Sequence, residues 1–129
     1  MDPISDMIIQ IKNASNAGKD VILVPHSKVK FAIATALMKT GFVGNVAKRT
    51  KKTKKLIEIA IVYGADGKPK VQDVKRISKP SRRVYKSVKE LRPIRQGYGI
   101  TLLSTPKGIL SDKEARKEHV GGEVILTIW

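Results

Sequence analysis

Positive charge is crowded into the middle of this chain. Residues 48–95 hold 17 of the 26 Lys and Arg residues against four Asp and Glu, a net +13. Residues 1–47 carry +2 and residues 96–129 carry none, so the band accounts for nearly all of the +15. A charge of this size on 129 residues repels itself and restricts how the chain can close up. The usual relief is a polyanion, either nucleic acid or an anionic membrane surface. The plainer alternative is a soluble basic protein with no such partner, and the charge density argues against it. Regularly spaced Val and Ile run through the band, which points to folded structure and not to a disordered tail.

The length suits one ordinary domain or two small ones. Cysteine is absent, which excludes disulfides, thiolate metal sites and cysteine nucleophiles and fits a reducing compartment. Only 5% of residues are aromatic, so the core is expected to be aliphatic. No apolar run approaches the roughly 20 residues of a membrane helix. The start, Met1-Asp2-Pro3, is acidic and lacks an apolar signal region, so the expected location is the cytoplasm. No internal repeat is visible.

Periodicity divides the chain into two layers. Ile4, Met7, Ile8 and Ile11 recur at helical spacing over residues 3–16, with Asp2 as N-cap, Pro3 in the first turn and Gly18 as the stop. Val21 to Val24 form a short strand closed by Pro25. Ser27 caps a second helix to about Thr40, with Val29, Ile33, Ala36 and Leu37 on one face and Gly41 at its end. Strands are expected around Phe42–Lys48, from Leu56 to Tyr63 and from about Lys70 to Ile77, the last after the turn Gly64-Ala65-Asp66-Gly67. Lys79-Pro80-Ser81 marks a boundary. Beyond it come a short strand at Arg83–Lys86, a turn at Val88–Pro93 and a strong strand at Ile100–Ser104 led by Gly97-Tyr98-Gly99. Thr105–Gly108 reads as a loop. Ser111 and Glu114 form a capping box for a helix over about 112–119, which Gly121-Gly122 ends, and Val124–Trp129 is a last strand. The fold class is therefore α+β with two small domains. Residues 1–79 form an α/β layer with a three-stranded sheet and two helices, and residues 80–129 a β-rich domain with one short helix.

Three groups of residues carry binding chemistry. Six of the eight residues from Lys48 to Lys55 are basic and sit between two strands; Lys51, Lys52, Lys54 and Lys55 suit a ladder of phosphates without reading sequence. The plain alternative is a solvated hairpin tip. Lys75, Arg76, Lys79, Arg82, Arg83, Lys86, Lys89, Arg92 and Arg95 continue the band, with Tyr85 inside it. An aromatic ring among cations either stacks on a base or sugar or packs into its own module. Ser104-Thr105-Pro106-Lys107-Gly108 brings two hydroxyls and a cation together. Hydroxyls suit the shallow minor groove of an RNA helix, yet by local pattern the segment is first a turn. Gly121-Gly122-Glu123 likewise reads first as a helix stop, and its glutamate is a candidate to orient a partner side chain or to accept a base amino group.

Catalysis finds no support. His26 and His119 are far apart and lack a carboxylate at ligand spacing, so neither metal nor cofactor is expected. Gly97-x-Gly99 lacks a third glycine and precedes a strand, and no Gly-Lys-Ser/Thr loop or Ser/His/Asp set is present.

The order of several segments resembles one family along the whole chain. They are Asp2-Pro3-Ile4-Ser5-Asp6-Met7, Ile11-Lys12-Asn13, Pro25-His26-Ser27-Lys28, Arg82-Arg83-Val84-Tyr85-Lys86, Gly97-Tyr98-Gly99-Ile100, Ser104-Thr105-Pro106-Lys107-Gly108 and Gly121-Gly122-Glu123-Val124. Together they are similar to the bacterial members of the family of the eighth protein of the small ribosomal subunit. The resemblance implies an N-terminal α/β domain, a C-terminal β-rich domain, and direct, early binding to an irregular stem in the central domain of the small-subunit ribosomal RNA. It also implies neighbouring ribosomal proteins as partners and repression of the operon's own messenger through a similar stem. By motif match, Tyr85, Ser104, Thr105, Lys107, Gly122 and Glu123 are implied RNA contacts. One position departs: the family often has Ser where this chain has Pro106, which removes a hydroxyl and a backbone N–H. The expected function is structural RNA binding without catalysis. The alternative is an RNA- or DNA-binding regulatory module acting off the ribosome, although no recognition helix is evident.

Overall fold

The computed structural model describes residues 2–91 and 99–129. The basic positions Arg92 and Arg95, the end of the expected turn at Pro93, and Gly97-Tyr98 lie outside the described residues. The architecture is α+β with two antiparallel sheets, and the chain divides into two compact units, residues 3–72 and residues 73–129 together with Asp2.

The first unit is a three-stranded sheet carrying two helices. Helix α1 spans Pro3–Asn16, strand β1 Val21–Pro25, helix α2 Lys28–Lys39, strand β2 Val46–Lys51 and strand β3 Lys54–Ala60. The strand order is β1-β3-β2, so β3 is central. Its Ile57 and Ile59 are completely buried, against Met7, Ile8 and Ile11 of α1, Val24 of β1, and Ile33 and Leu37 of α2 as the other large buried side chains of the unit. Full burial of each such side chain contributes about 1.5–3 kcal/mol before entropy is counted. Ser27 caps α2 as expected, accepting from the Lys30 N–H at 3.1 Å.

Two local expectations shift. The buried residues of α2 are Lys30, Ile33, Ala34, Ala36 and Leu37, so three of the four expected positions are buried, while Val29 is 49% exposed. Only the first position of the stripe moves, from Val29 to Lys30, whose stem takes the apolar place. Strand β2 begins at Val46 and not at Phe42, because the Leu37 carbonyl accepts from the N–H groups of both Phe42 and Val43. That closing turn, with Gly41 at φ +87°, buries both side chains.

In the second unit, strands β4 (Val74–Arg76), β8 (Gly122–Ile128), β6 (Ile100–Thr105) and β7 (Gly108–Ser111) lie side by side in that order, and β5 (Tyr85–Lys86) also pairs with β8. Helix α3 spans Asp112–Glu118 behind its Ser111–Glu114 capping box. A short 3-10 turn covers Val88–Glu90. Leu91, Leu103, Ala115 and Val124 form a buried cluster with Ile77, Val84, Leu110 and Val120 around it. Strand β4 pairs with β8 through Val74–Ile128, Lys75–Thr127 and Arg76–Leu126. The strand expected over 70–77 therefore belongs to the second sheet, and the units meet in sequence at Gln72–Asp73, before Lys79-Pro80-Ser81. Strand β7 has no counterpart among the expected elements; it forms because Thr105–Gly108 is a tight hairpin turn and not an open loop.

Among the described residues, no helix is long and apolar enough to cross a membrane. No group of three or more His, Cys, Asp or Glu side chains there is placed to hold a metal ion.

Candidate nucleic-acid interface

Strand β8 enters the second sheet between β5 and β6, and this position assembles the candidate site. Glu123 pairs with Tyr85 on one side and with Ser104 on the other. Residues directly opposite in antiparallel strands share a face, so Ser104, Glu123 and Tyr85 form a row across three strands. Two inter-strand spacings place Ser104 and Tyr85 about 10 Å apart. Their neighbours along β6 and β8, Leu103 and Val124, point into the buried cluster, which fixes the opposite side as core.

Each member of the row has a distinct state. The Tyr85 ring is 66% exposed, so it is not packed into its module. Ser104 is exposed, and its hydroxyl makes no hydrogen bond among the described residues. Glu123 is held: its carboxylate accepts from the Ser78 hydroxyl and, at 3.0 Å, from the Arg83 guanidinium. Ser78 is fully buried and also accepts from the Val84 N–H at 3.2 Å. The Ser78 hydrogen bond, followed by Arg83 and the nearby charge of Arg76, lowers the Glu123 pKa from its ordinary value against the opposing effect of burial. The acid on this basic face is thus a brace for Arg83 and for the chain entering β5.

The hairpin after Ser104 is closed by Thr105. Its hydroxyl donates to the Gly108 carbonyl at 2.8 Å and accepts from the Lys107 N–H at 3.1 Å. Gly108 adopts φ +106°. Pro106 occupies the first central position of this turn, where fixed φ is an advantage and an N–H is not required. Lys107 is exposed, and its ammonium lies 3.1 Å from Glu118.

Gly121 and Gly122 are not the helix stop. The stop is His119, which adopts the left-handed conformation at φ 56°. The glycines are there because backbones crowd them. A side chain at Gly122 would collide with the Ser104 carbonyl, and one at Gly121 with the Lys86 carbonyl and, at 2.8 Å, the Ser87 Cα. Lys86, opposite Gly122, is exposed, as is Arg82, whose N–H and carbonyl close a turn with Lys79.

The fold therefore brings Tyr85, Arg83, Lys86, Ser104, Thr105, Gly122 and Glu123 to one end of β8, with Lys107 in the adjoining hairpin turn. Lys51, Lys52, Lys54 and Lys55 belong to the first unit, at the tip of the β2–β3 hairpin. Sequence reasoning missed Ser78. No local pattern marks it; only the packing of residues 45 apart in the chain places it under Glu123.

Two small antiparallel layers, one ending in a strand face with an exposed ring, a hydroxyl and a braced arginine, define an α+β protein of two compact units. Over residues 2–129 the sequence matches the family described as ribosomal protein S8. Relatives named small ribosomal subunit protein uS8 include those of Streptococcus sanguinis (strain SK36), 44% identical over 128 residues, and Anaeromyxobacter sp. (strain Fw109-5), 42% identical over 128 residues. Both alignments cover 99% of this chain and 97% of the relative. The relative from Caldicellulosiruptor bescii is 43% identical over 129 residues, covering 100% of this chain and 98% of its own length. The chain belongs to the ribosomal protein S8 family; it is a structural ribosomal protein and not an enzyme.

Proposed function

We propose that this chain binds directly to a stem in the central domain of the small-subunit ribosomal RNA, early in assembly, and is built into that subunit in the cytoplasm beside other ribosomal proteins. The relatives' name, small ribosomal subunit protein, supports the setting. The observation that carries the reading is the Ser104–Glu123–Tyr85 row: one free hydroxyl, one exposed ring and a braced Arg83 on a single strand face. Hydroxyls reach 2′-hydroxyls and base edges of a shallow minor groove, a ring stacks on an unpaired base, and cations hold phosphate. Because such a face reads shape over a few nucleotides, a stem of the same shape in the operon's own messenger is a second target, and repression of its translation follows.

The test uses the isolated chain and naked RNA. The chain alone protects a short central-domain stem from cleavage and prefers it to an unrelated duplex across a salt series. Ser104→Ala leaves folding intact and weakens binding to the stem roughly three- to tenfold, the worth of one hydrogen bond. Binding to the unrelated duplex does not change. An unprotected stem at moderate salt overturns the reading, as does equal affinity for both RNAs.

A further inference from the structure

The β2–β3 hairpin breaks two rules of hairpin construction at once. Lys51 stands directly opposite Lys54, so two ammonium groups share one face where unlike charges would be favourable. The two-residue tip, Lys52-Thr53, puts Lys52 at φ 59°, a left-handed conformation that Gly or Asn adopts with less strain. Only one other non-glycine among the described residues has positive φ, the helix-capping His119. Departures from local consistency of this kind persist where something other than folding selects them.

The surrounding cations are already committed. Arg49 pairs with Glu58 at 2.8 Å, and the Lys48 ammonium lies 5.0 Å from the centre of the Phe31 ring. By contrast, Lys51, Lys52, Lys54 and Lys55 are exposed and have no ion-pair partner among the described residues. Lys51 and Lys54 share one face, Lys55 stands on the other opposite Thr50, and Lys52 sits at the apex. Four uncommitted ammonium groups on flexible stems, spread over both faces of a ribbon and lacking any directional hydrogen-bonding group except Thr50 and Thr53, fit a run of phosphates and not a base edge.

We infer that the tip of the β2–β3 hairpin is a second RNA contact, a sequence-independent grip on backbone phosphates by Lys51, Lys52, Lys54 and Lys55. It adds affinity to the discrimination made in the second unit. The inference rests on the RNA-binding reading above but names a different surface and a different task.

The test is a salt titration of the whole chain on two RNAs, the central-domain stem with its flanking helix and an unrelated duplex of equal length. One variant carries Lys51→Thr, Lys52→Gly, Lys54→Thr and Lys55→Thr, which keeps strand propensity and gives the tip its unstrained residue. A control carries Lys19→Gln, Lys28→Gln, Lys39→Gln and Lys113→Gln, removing the same charge from exposed positions elsewhere. The hairpin variant should bind both RNAs more weakly by the same factor, with the log–log salt slope reduced by about 0.7–0.9 for each phosphate no longer held. The control should keep most of the wild-type slope. Lys52→Gly alone should raise the unfolding temperature yet lower affinity about fivefold at about 0.1 M salt, the effect of one phosphate. An unchanged slope in the hairpin variant overturns the inference, as does an equal reduction in the control, which would make the effect one of net charge. Either result leaves the preference for the stem intact, whereas absence of that preference in the wild-type chain refutes the RNA-stem reading itself.

Discussion

Glu123 is the residue on which the second unit's candidate site turns. A partly buried carboxylate is unfavourable unless it is hydrogen-bonded and paired, and Ser78 and Arg83 do both. Its pKa is lowered in the folded chain, first by the Ser78 hydroxyl and then by Arg83, from an ordinary value of 4.5. The folded state therefore binds fewer protons at Glu123 than the unfolded state in this range. The stabilisation is complete above about pH 5 and is lost as pH falls through the depressed folded value. Denaturant titrations between pH 3 and 7 should show stability falling over that window. Glu123→Gln should flatten this part of the profile and cost about 1.5–3 kcal/mol at pH 7, the worth of a charged hydrogen bond. A variant with the wild-type profile would mean that other carboxyl groups set the acid limb. Thr105 stands in contrast to Ser104. Its hydroxyl is spent on the hairpin turn, so Thr105→Val should lower stability through the turn, whereas Ser104→Ala should not.

At the scale of elements, the start of β8 is the most constrained segment. Gly122→Ala would push a methyl into the Ser104 carbonyl and force β6 and β8 apart. We expect it to cost about 1–3 kcal/mol or more, as overpacking does, with the chevron or melt measured beside Ser111→Ala, where removal of a helix cap costs about 1 kcal/mol. Equal stability of Gly122→Ala and wild type would mean that the strand can slide. Neither glycine announces this role in the sequence, where Gly121-Gly122 after a short helix has the look of a stop. Helices were legible because their signals are local: Ile4, Met7, Ile8 and Ile11 repeat every turn, and Ser27 and Ser111 each cap the helix that begins at the next residue. The central strand was legible from Ile57 and Ile59, although it ends at Ala60 and Ile61, buried as well, lies beyond it. What stayed hidden was pairing. Nothing near Val74 shows that its partner is Ile128, and nothing near Ser78 shows that it will sit beneath Glu123. Tyr85 and Ser104 were legible as candidates by residue type alone, but their assembly into one row depends on β8 passing between them.

Over the whole molecule, the charge cannot be settled internally. Residues 3–72 carry a net +9, and Asp2 with residues 73–129 a net +6, so neither unit is a counterion for the other. Five ion pairs are formed among the described residues, and those at Arg49 and Lys107 involve well-exposed side chains that contribute little. The free chain is thus held below its attainable stability by self-repulsion, which screening relieves. Raising monovalent salt from about 0.01 to 0.15 M shortens the Debye length from about 30 to 8 Å. Calorimetry should show the unfolding temperature of the free chain rising over that interval, since repulsion between like charges more than about 8 Å apart is largely removed. Bound to RNA, the same chain should respond in the opposite sense, because salt weakens the complex that stabilises it. The two slopes crossing in sign is the signature of a protein whose charge is balanced only by its partner. A free chain whose unfolding temperature fell with salt would show instead that its own ion pairs dominate, and the excess of lysine and arginine would then need another explanation.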